Sequence, residues 1–192
     1  MSTENFSLTA VQTETELDTE GMRIGIVVSQ WNSEITRALE AGAVQTLEKY
    51  GMSKDDIVVR YVPGSFELTV GALLMTEYVD MDAVICLGCV IQGETPHFDY
   101  ICRGVSFGLT KIAAETGIPI IFGVLTTLNK EQALERAGGI HGNKGEEAAL
   151  TAIRMITLKW DMMDEAAGIK KKQKLEKQKL EKQKLEEQQI EE

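Results

Sequence analysis

The chain has no long apolar stretch, no surplus of positive charge and no nucleotide-binding glycine loop, and each absence removes a class of function. No run approaches the ~18 consecutive apolar residues that a membrane-spanning helix needs, so no membrane role is expected. Lys and Arg number 20 against 30 Asp and Glu, a net charge of −10. That balance disfavours nucleic acid and anionic lipid, because sequence-independent binding to either depends on a basic surface. Neither a Walker-type loop nor a G-x-G-x-x-G turn follows the first apolar run, which leaves a dinucleotide site without support. The partners left are small molecules and proteins.

Cysteine is also scarce. Cys86, Cys89 and Cys102 make an odd set of 3, and the first two sit in an apolar run where reduced, buried thiols are common. The Cys86-x-x-Cys89 spacing is not read as a zinc site. On a strand, residues three apart point to opposite faces, and no second pair of ligands follows. No disulfide and no metal are expected. The first residues, Met1-Ser2-Thr3-Glu4-Asn5, show neither the basic nor the apolar segment of a secretory signal, which makes the cytoplasm the expected location.

What is present is a body of ordinary globular composition, 43% hydrophobic and 26% charged, between two biased ends. Continuous, partly β-branched apolar runs at 22–28, 57–62, 83–91 and 118–124 read as strands buried on both faces, as in a parallel sheet. Segments with helical length and period lie between and after them, at 33–50, 67–78, 98–116 and 143–160, with a short one at 130–135. Strands alternating with helices predict right-handed crossovers and an α/β fold, a three-layer α/β/α sandwich on a mainly parallel, flavodoxin-like sheet. Three regions follow: an N-terminal arm over 1–21, a domain over 22–168 and a charged low-complexity tail over 169–192.

The arm is polar, and either disorder or pairing with a sheet edge suits it. The tail repeats Lys-Gln-Lys-Leu-Glu, with Leu175, Leu180, Leu185 and Ile190 five residues apart. At 3.6 residues per turn, five-residue steps advance the apolar position by about 140°, which spirals it around a helix and excludes a heptad seam. A solvated charged helix or a disordered extension is expected.

In a parallel sheet the ligand sits beyond the carboxyl ends of the strands, so the segments following each strand carry the interest. Gln30-Trp31-Asn32 puts a large ring ahead of a helix that Asn32 or Ser33 would cap; the ring either stacks on a planar ligand or closes the top of the core. Pro63-Gly64-Ser65-Phe66-Glu67 offers a tight turn and an acceptor for hydroxyls, or merely a helix start with Ser65 as cap. The loop with Gly93, Glu94, Thr95 and His97 stands before a helix, where free amides suit an oxyanion and an imidazole suits proton transfer. Read alone, it is equally a capping turn with a surface histidine. Arg136 precedes Gly138-Gly139, a flexible stretch giving it reach towards an anion. Gly142-Asn143-Lys144-Gly145 would open the last helix and aim Lys144 at a carbonyl or hydroxyl.

Taken together, the loops resemble the lumazine synthases from about residue 21 to 160. The resemblance rests on Gln30-Trp31-Asn32, Val62-Pro63-Gly64-Ser65-Phe66-Glu67, Leu87-Gly88-Cys89-Val90-Ile91-Gln92-Gly93-Glu94-Thr95-Pro96-His97-Phe98-Asp99-Tyr100, Phe122-Gly123-Val124-Leu125-Thr126, and Glu135-Arg136-Ala137-Gly138 followed by Gly142-Asn143-Lys144-Gly145. It implies condensation of 5-amino-6-(D-ribitylamino)uracil with 3,4-dihydroxy-2-butanone 4-phosphate, without a cofactor, to 6,7-dimethyl-8-ribityllumazine, phosphate and water.

By that resemblance Trp31 stacks on the pyrimidine, with Asn32 beside it, and the backbone at Cys89, Val90 and Ile91 reads its amide pattern. Ser65, Phe66 and Glu67 hold the ribityl chain, Glu94 and Thr95 with Arg136 hold the phosphate, and His97 is the general acid/base. Phe122, Arg136 and Lys144 come from a neighbouring subunit, Phe122 lining the ring pocket and Lys144 donating to a ring carbonyl or hydroxyl, while Trp31, Glu67 and His97 stay on one chain. The family also implies a homo-oligomer, a pentamer or a sixty-subunit shell, with riboflavin synthase as a further candidate partner. Trp31 departs from a common Phe, Gln92 from a frequent Arg, and Gly139-Ile140 from a more polar pair. The competing readings are a non-catalytic flavin or nucleotide binder and a shell protein with a dead site.

Overall fold

A computed structural model describes the backbone of residues 17–190 and the side chains of residues 17–169. Two compact units divide the chain, Met1–Ile156 and Thr157–Glu192. In the first, β1 (Ile24–Ser29), β2 (Ile57–Val62), β3 (Ala83–Ile91) and β4 (Ile120–Thr127) alternate with α1 (Ser33–Lys49), α2 (Leu68–Tyr78) and α3 (His97–Thr116), and a short 3-10 turn, Lys54–Asp56, leads into β2. A short α4 (Lys130–Glu135), a hairpin of β5 (Ala137–Gly139) and β6 (Gly142–Asn143), and α5 (Lys144–Ile190) complete the order. The sheet runs β2-β1-β3-β4 with every pairing parallel, the expected α/β arrangement.

The two central strands match the expectation of burial on both faces, since all six residues of β1 are buried. The outer strands do not. β2 and β4 each pair on one side only among the described residues, so Tyr61 and Phe122 remain exposed. An edge position removes one neighbour, and apolar side chains alone do not reveal that. The fourth strand is also displaced from the expected 118–124. Gly117, left-handed at φ 65°, ends α3, and Pro119 has no N–H to donate to a ladder, so pairing begins at Ile120.

Side-chain alternation divides the core into two layers. Val27, Val84, Cys86 and Val124 pack with Leu68, Ala72 and Met75 of α2 and Val105, Leu109 and Ile112 of α3. The opposite face takes α1, whose Ile35, Leu39, Ala43 and Leu47 recur every fourth residue and are all buried, and the first turns of α5, where Ala149, Ile153 and Ile156 are buried too. Each fully buried Leu or Ile contributes roughly 1.5–3 kcal/mol of transfer free energy.

The second unit is helical from residue 157 to 190, and its residues 161–169 are all exposed. The spiral expected of Leu175, Leu180, Leu185 and Ile190 lies outside the described side chains, and most of the N-terminal arm, residues 1–16, lies outside the described residues. Of the arm's last residues, the Thr19 hydroxyl donates to the Tyr50 carbonyl at 2.8 Å, and Gly21 turns at φ 76° into β1. Among the described residues, no helix is long and apolar enough to cross a membrane.

Candidate active site

The first two strands end side by side. Gln30 N–H donates to the Val62 carbonyl at 2.8 Å and Trp31 N–H to Pro63 at 3.1 Å, which brings the Trp31 loop against the Pro63–Glu67 turn. Asn32 holds the N-cap position of α1 as expected, but its side chain makes no cap bond. It adopts the left-handed conformation, φ 58° and ψ 45°, which Asn tolerates better than most residues. Its amide nitrogen donates to the Cys89 carbonyl at 2.9 Å, pinning the Trp31 loop to the end of β3.

These segments enclose a cavity of about 650 Å³ lined by Trp31, Asn32, Gly64, Ser65, Phe66, Glu67, Cys89, Val90, Ile91, His97 and Ile101. Its size suits a small ligand. Trp31 is 72% exposed and Phe66 55%, so both rings are available and neither closes the core. Ser65 is not a cap either: α2 follows Glu67, without a side-chain cap bond. The Ser65 hydroxyl is buried with no hydrogen-bond partner, and a Cβ on Gly88 would stand 2.8 Å from it.

Backbone direction sorts the β3 residues. Gln92 N–H bonds Thr127 on β4, whereas the Cys89 carbonyl bonds Asn32 on the other side. Alternation then places the backbone of Ile91 with that of Cys89, on the side where β1 has ended, and turns Val90 towards β4. Of the three expected readers of an amide pattern, Ile91 presents the open edge. Val90 lines the cavity without one. Burial pushes the Cys89 thiol up to about 11 and that of Cys86 to about 12, so both are neutral thiols at pH 7.

The acidic loop differs from expectation in one respect. α3 starts at His97 with Pro96 in the cap position, so the first-turn amides are those of His97 and Phe98 rather than of Glu94 and Thr95. Glu94 and Thr95 are exposed just before it. Ile101, one turn after His97, shares its face, and that i,i+4 spacing was the available signal for a residue the sequence reading passed over.

Phe122, Arg136 and Lys144 lie elsewhere. They line a second cavity of about 580 Å³ along the outer edge of β4, together with Glu147, Ala148 and Thr151. Asn129 caps α4 by accepting from Gln132 N–H at 2.9 Å, which sets Arg136 at its C-terminal end. Contrary to the expected flexible reach, Gly138-Gly139 belongs to the β5–β6 hairpin, and Arg136 is held: Nη1 donates to the Gln132 carbonyl at 2.9 Å and lies 3.7 Å from the Glu135 carboxylate. Lys144 begins α5 as expected, but its ammonium is hydrogen-bonded to Glu147 one turn on. Glu135 and Glu147 were not foreseen; acidic residues next to each cation were the signal.

A parallel α/β body with an aromatic cavity, an imidazole and a carboxylate at the carboxyl edge of its sheet defines a small-molecule enzyme on a flavodoxin-like scaffold. Residues 21–159 match the family profile described as 6,7-dimethyl-8-ribityllumazine synthase. A protein of that name from Bacteroides fragilis is 55% identical over 141 residues, covering 73% of this chain and 99% of the relative. Another from Cytophaga hutchinsonii is 58% identical over 132 residues, covering 69% and 83%. The chain belongs to the 6,7-dimethyl-8-ribityllumazine synthase family. It is an enzyme, a transferase of riboflavin biosynthesis that condenses the ribitylaminouracil with the butanone phosphate. That selects catalysis over a non-catalytic flavin- or nucleotide-binding module.

Proposed function

We propose that each active site of this lumazine synthase is built from two copies of the chain, the Trp31 cavity of one and the Phe122 cavity of the next. One observation carries the proposal: the eleven residues around Trp31 and the group around Phe122, Arg136 and Lys144 line two different cavities with no lining residue in common. Neither set suffices alone. The first offers stacking, hydroxyl-binding and proton-transfer groups but no cation among its lining residues; the second offers the cations.

In the joined site, Trp31 stacks on the pyrimidine, Asn32 holds the loop that carries it, and the open backbone of Ile91 reads the ring edge with Cys89 and Val90 as its floor. Ser65, Phe66 and Glu67 take the ribityl hydroxyls. The phosphate lies before α3, at Glu94, Thr95 and the first-turn amides, and receives Arg136 from the neighbour as a planar fork. Phe122 and Lys144 of that neighbour complete the ring pocket.

His97 moves protons. The amine adds to the ketone and water leaves as the imine forms; phosphate is then eliminated, and the ribitylamino nitrogen closes the second ring with loss of the second water. Each step requires a proton to arrive or leave near neutral pH, which suits an imidazole.

A head-to-tail contact of this kind closes into a ring, either a pentamer or a sixty-subunit shell assembled from pentamers, in the cytoplasm and with riboflavin synthase as a partner that consumes the product. The catalytic domain spans 22–168, and the arm over 1–21 and the tail over 169–192 lie outside the chemistry. The test is to co-assemble His97→Ala chains with Arg136→Ala chains. In a random equal mixture roughly one site in four combines two intact halves, so activity rises above that of either mutant alone. No recovery in verified mixed rings refutes the shared site.

A further inference from the structure

The cations of the Phe122 cavity flank the hairpin, Arg136 just before β5 and Lys144 as the first residue of α5, and the hairpin is only three and two residues long. Strands that short fix nothing by themselves. What fixes them is Asn143, the last residue of β6. Its amide nitrogen donates to the Ala38 carbonyl of α1 at 2.9 Å, across 105 residues of chain, and its amide oxygen accepts from Gly145 N–H at 2.8 Å. One side chain thus caps α5 and ties it to α1.

The surroundings are shaped around that amide. A Cβ on Gly42 of α1 would stand 2.5 Å from the Asn143 side chain, and one on Gly145 would overlap the Leu39 carbonyl of α1. Both glycines let the backbones close to the distance at which the amide reaches both partners. From Asn143 the geometry passes to the cations: Asn143 pairs with Ala137 in the hairpin, and Lys144 N–H donates to the Arg136 carbonyl at 2.9 Å.

We infer that Asn143 is the positioning residue of the cationic half-site, setting through α1 where Arg136 and Lys144 stand. The inference rests on the assignment of Arg136 to the butanone phosphate. Replacement by Asp keeps the oxygen that caps α5 but loses the donor to Ala38; Ala loses both. Gly42→Ala keeps every hydrogen-bonding group and displaces the amide from the opposite side.

The experiment measures the KM for each substrate on full-length, assembled Asn143→Asp, Asn143→Ala, Gly42→Ala and the Gly42→Ala/Asn143→Ala double variant, with Arg136→Ala as reference. Expected is a rise on the order of tenfold in the KM for the butanone phosphate, short of the ~10²-fold that an ångström of misplacement costs. The KM for the pyrimidine rises much less, by the share that a displaced Lys144 gives to the ring pocket. In the double variant the Gly42→Ala effect disappears, because the truncated side chain opposite leaves room for the new methyl group. Equal rises for both substrates, no rise, or effects that multiply in the double variant overturn the inference. If Arg136→Ala itself leaves the butanone-phosphate KM unchanged, the assignment of Arg136 has failed and the inference falls with it. If Arg136→Ala raises that KM and the Asn143 variants do not, the positioning role alone is wrong. Should Asn143→Ala fail to fold, Asn143→Asp and Gly42→Ala still decide.

Discussion

The two cavities differ in how their polar groups are occupied before any ligand arrives. Around Trp31, the rings are bare, the Ser65 hydroxyl is unpartnered and Glu67 makes no ion pair among the described residues. Around Phe122, each cation already has a carboxylate, Glu135 beside Arg136 and Glu147 beside Lys144. Those pairs are partly exposed and worth about 0–1 kcal/mol each, so a phosphate dianion can take Arg136 from Glu135 without a large penalty. One region is thus prepared by leaving groups open, the other by keeping charges neutralised until an anion competes for them. The proposed division, an uncharged ring at the first region and a phosphate at the second, calls for these different preparations.

The contrast breaks most visibly at His97. His97→Ala, which removes proton transfer and none of the binding groups assigned here, should lower kcat by about 10²-fold or less and leave both KM values nearly unchanged. Steady-state formation of the lumazine chromophore measures it, and an unaltered kcat would take His97 out of the mechanism. Next in size is Arg136→Lys, which retains charge but loses the fork; the KM for the butanone phosphate should rise roughly tenfold, and that for the pyrimidine much less. Equal changes would assign Arg136 to structure instead.

A smaller effect concerns the thiol in the first cavity. Cys89 is held above its ordinary value, to about 11, by burial, so the folded state favours the protonated form. Its contribution to stability is present below pH 9 and is lost as pH rises towards 11. Between pH 6 and 9 the thiol does not titrate, and Cys89→Ala should leave the shape of the pH–kcat profile as it is; a lost limb would expose a thiolate in the reaction. Smallest of all, truncation after Gly168 should alter neither turnover nor assembly, checked by assay and by size-exclusion chromatography. A chain that no longer assembles would give the tail a structural task.

Central strands and most helices were legible because burial on both faces leaves an unmistakable record, as in the wholly buried β1 and in Ile35, Leu39, Ala43 and Leu47 of α1. Edges were less so, since Tyr61 and Phe122 are apolar whether or not a strand covers them. The β5–β6 hairpin left almost no trace. Its loop is Ile140-His141, neither residue at positive φ, so the Asn-Gly or Asp-Gly signal of a tight hairpin is absent. The candidate site residues were legible as motifs following strands, but their division into two sets came only from the family resemblance, which puts Phe122, Arg136 and Lys144 on a neighbouring subunit. Motifs record which residues flank a strand, not the side of the sheet edge on which each side chain comes to rest. Asn32 and Ser65 show the same limit: both side chains cap helices readily, and here neither side chain does.

The exposed ring at the mouth of the first cavity also makes the protein its own optical reporter. The chain has two tryptophans, and only Trp31 lines that cavity; Trp160 lies in the helix of the second unit. At 72% exposure its indole emits from water, and a pyrimidine stacked on it changes both the polarity around the excited state and the paths by which it decays. With Trp160 replaced by Phe, all indole emission would come from the binding surface, so the arrival of the first substrate could be followed in stopped flow before any product absorbs.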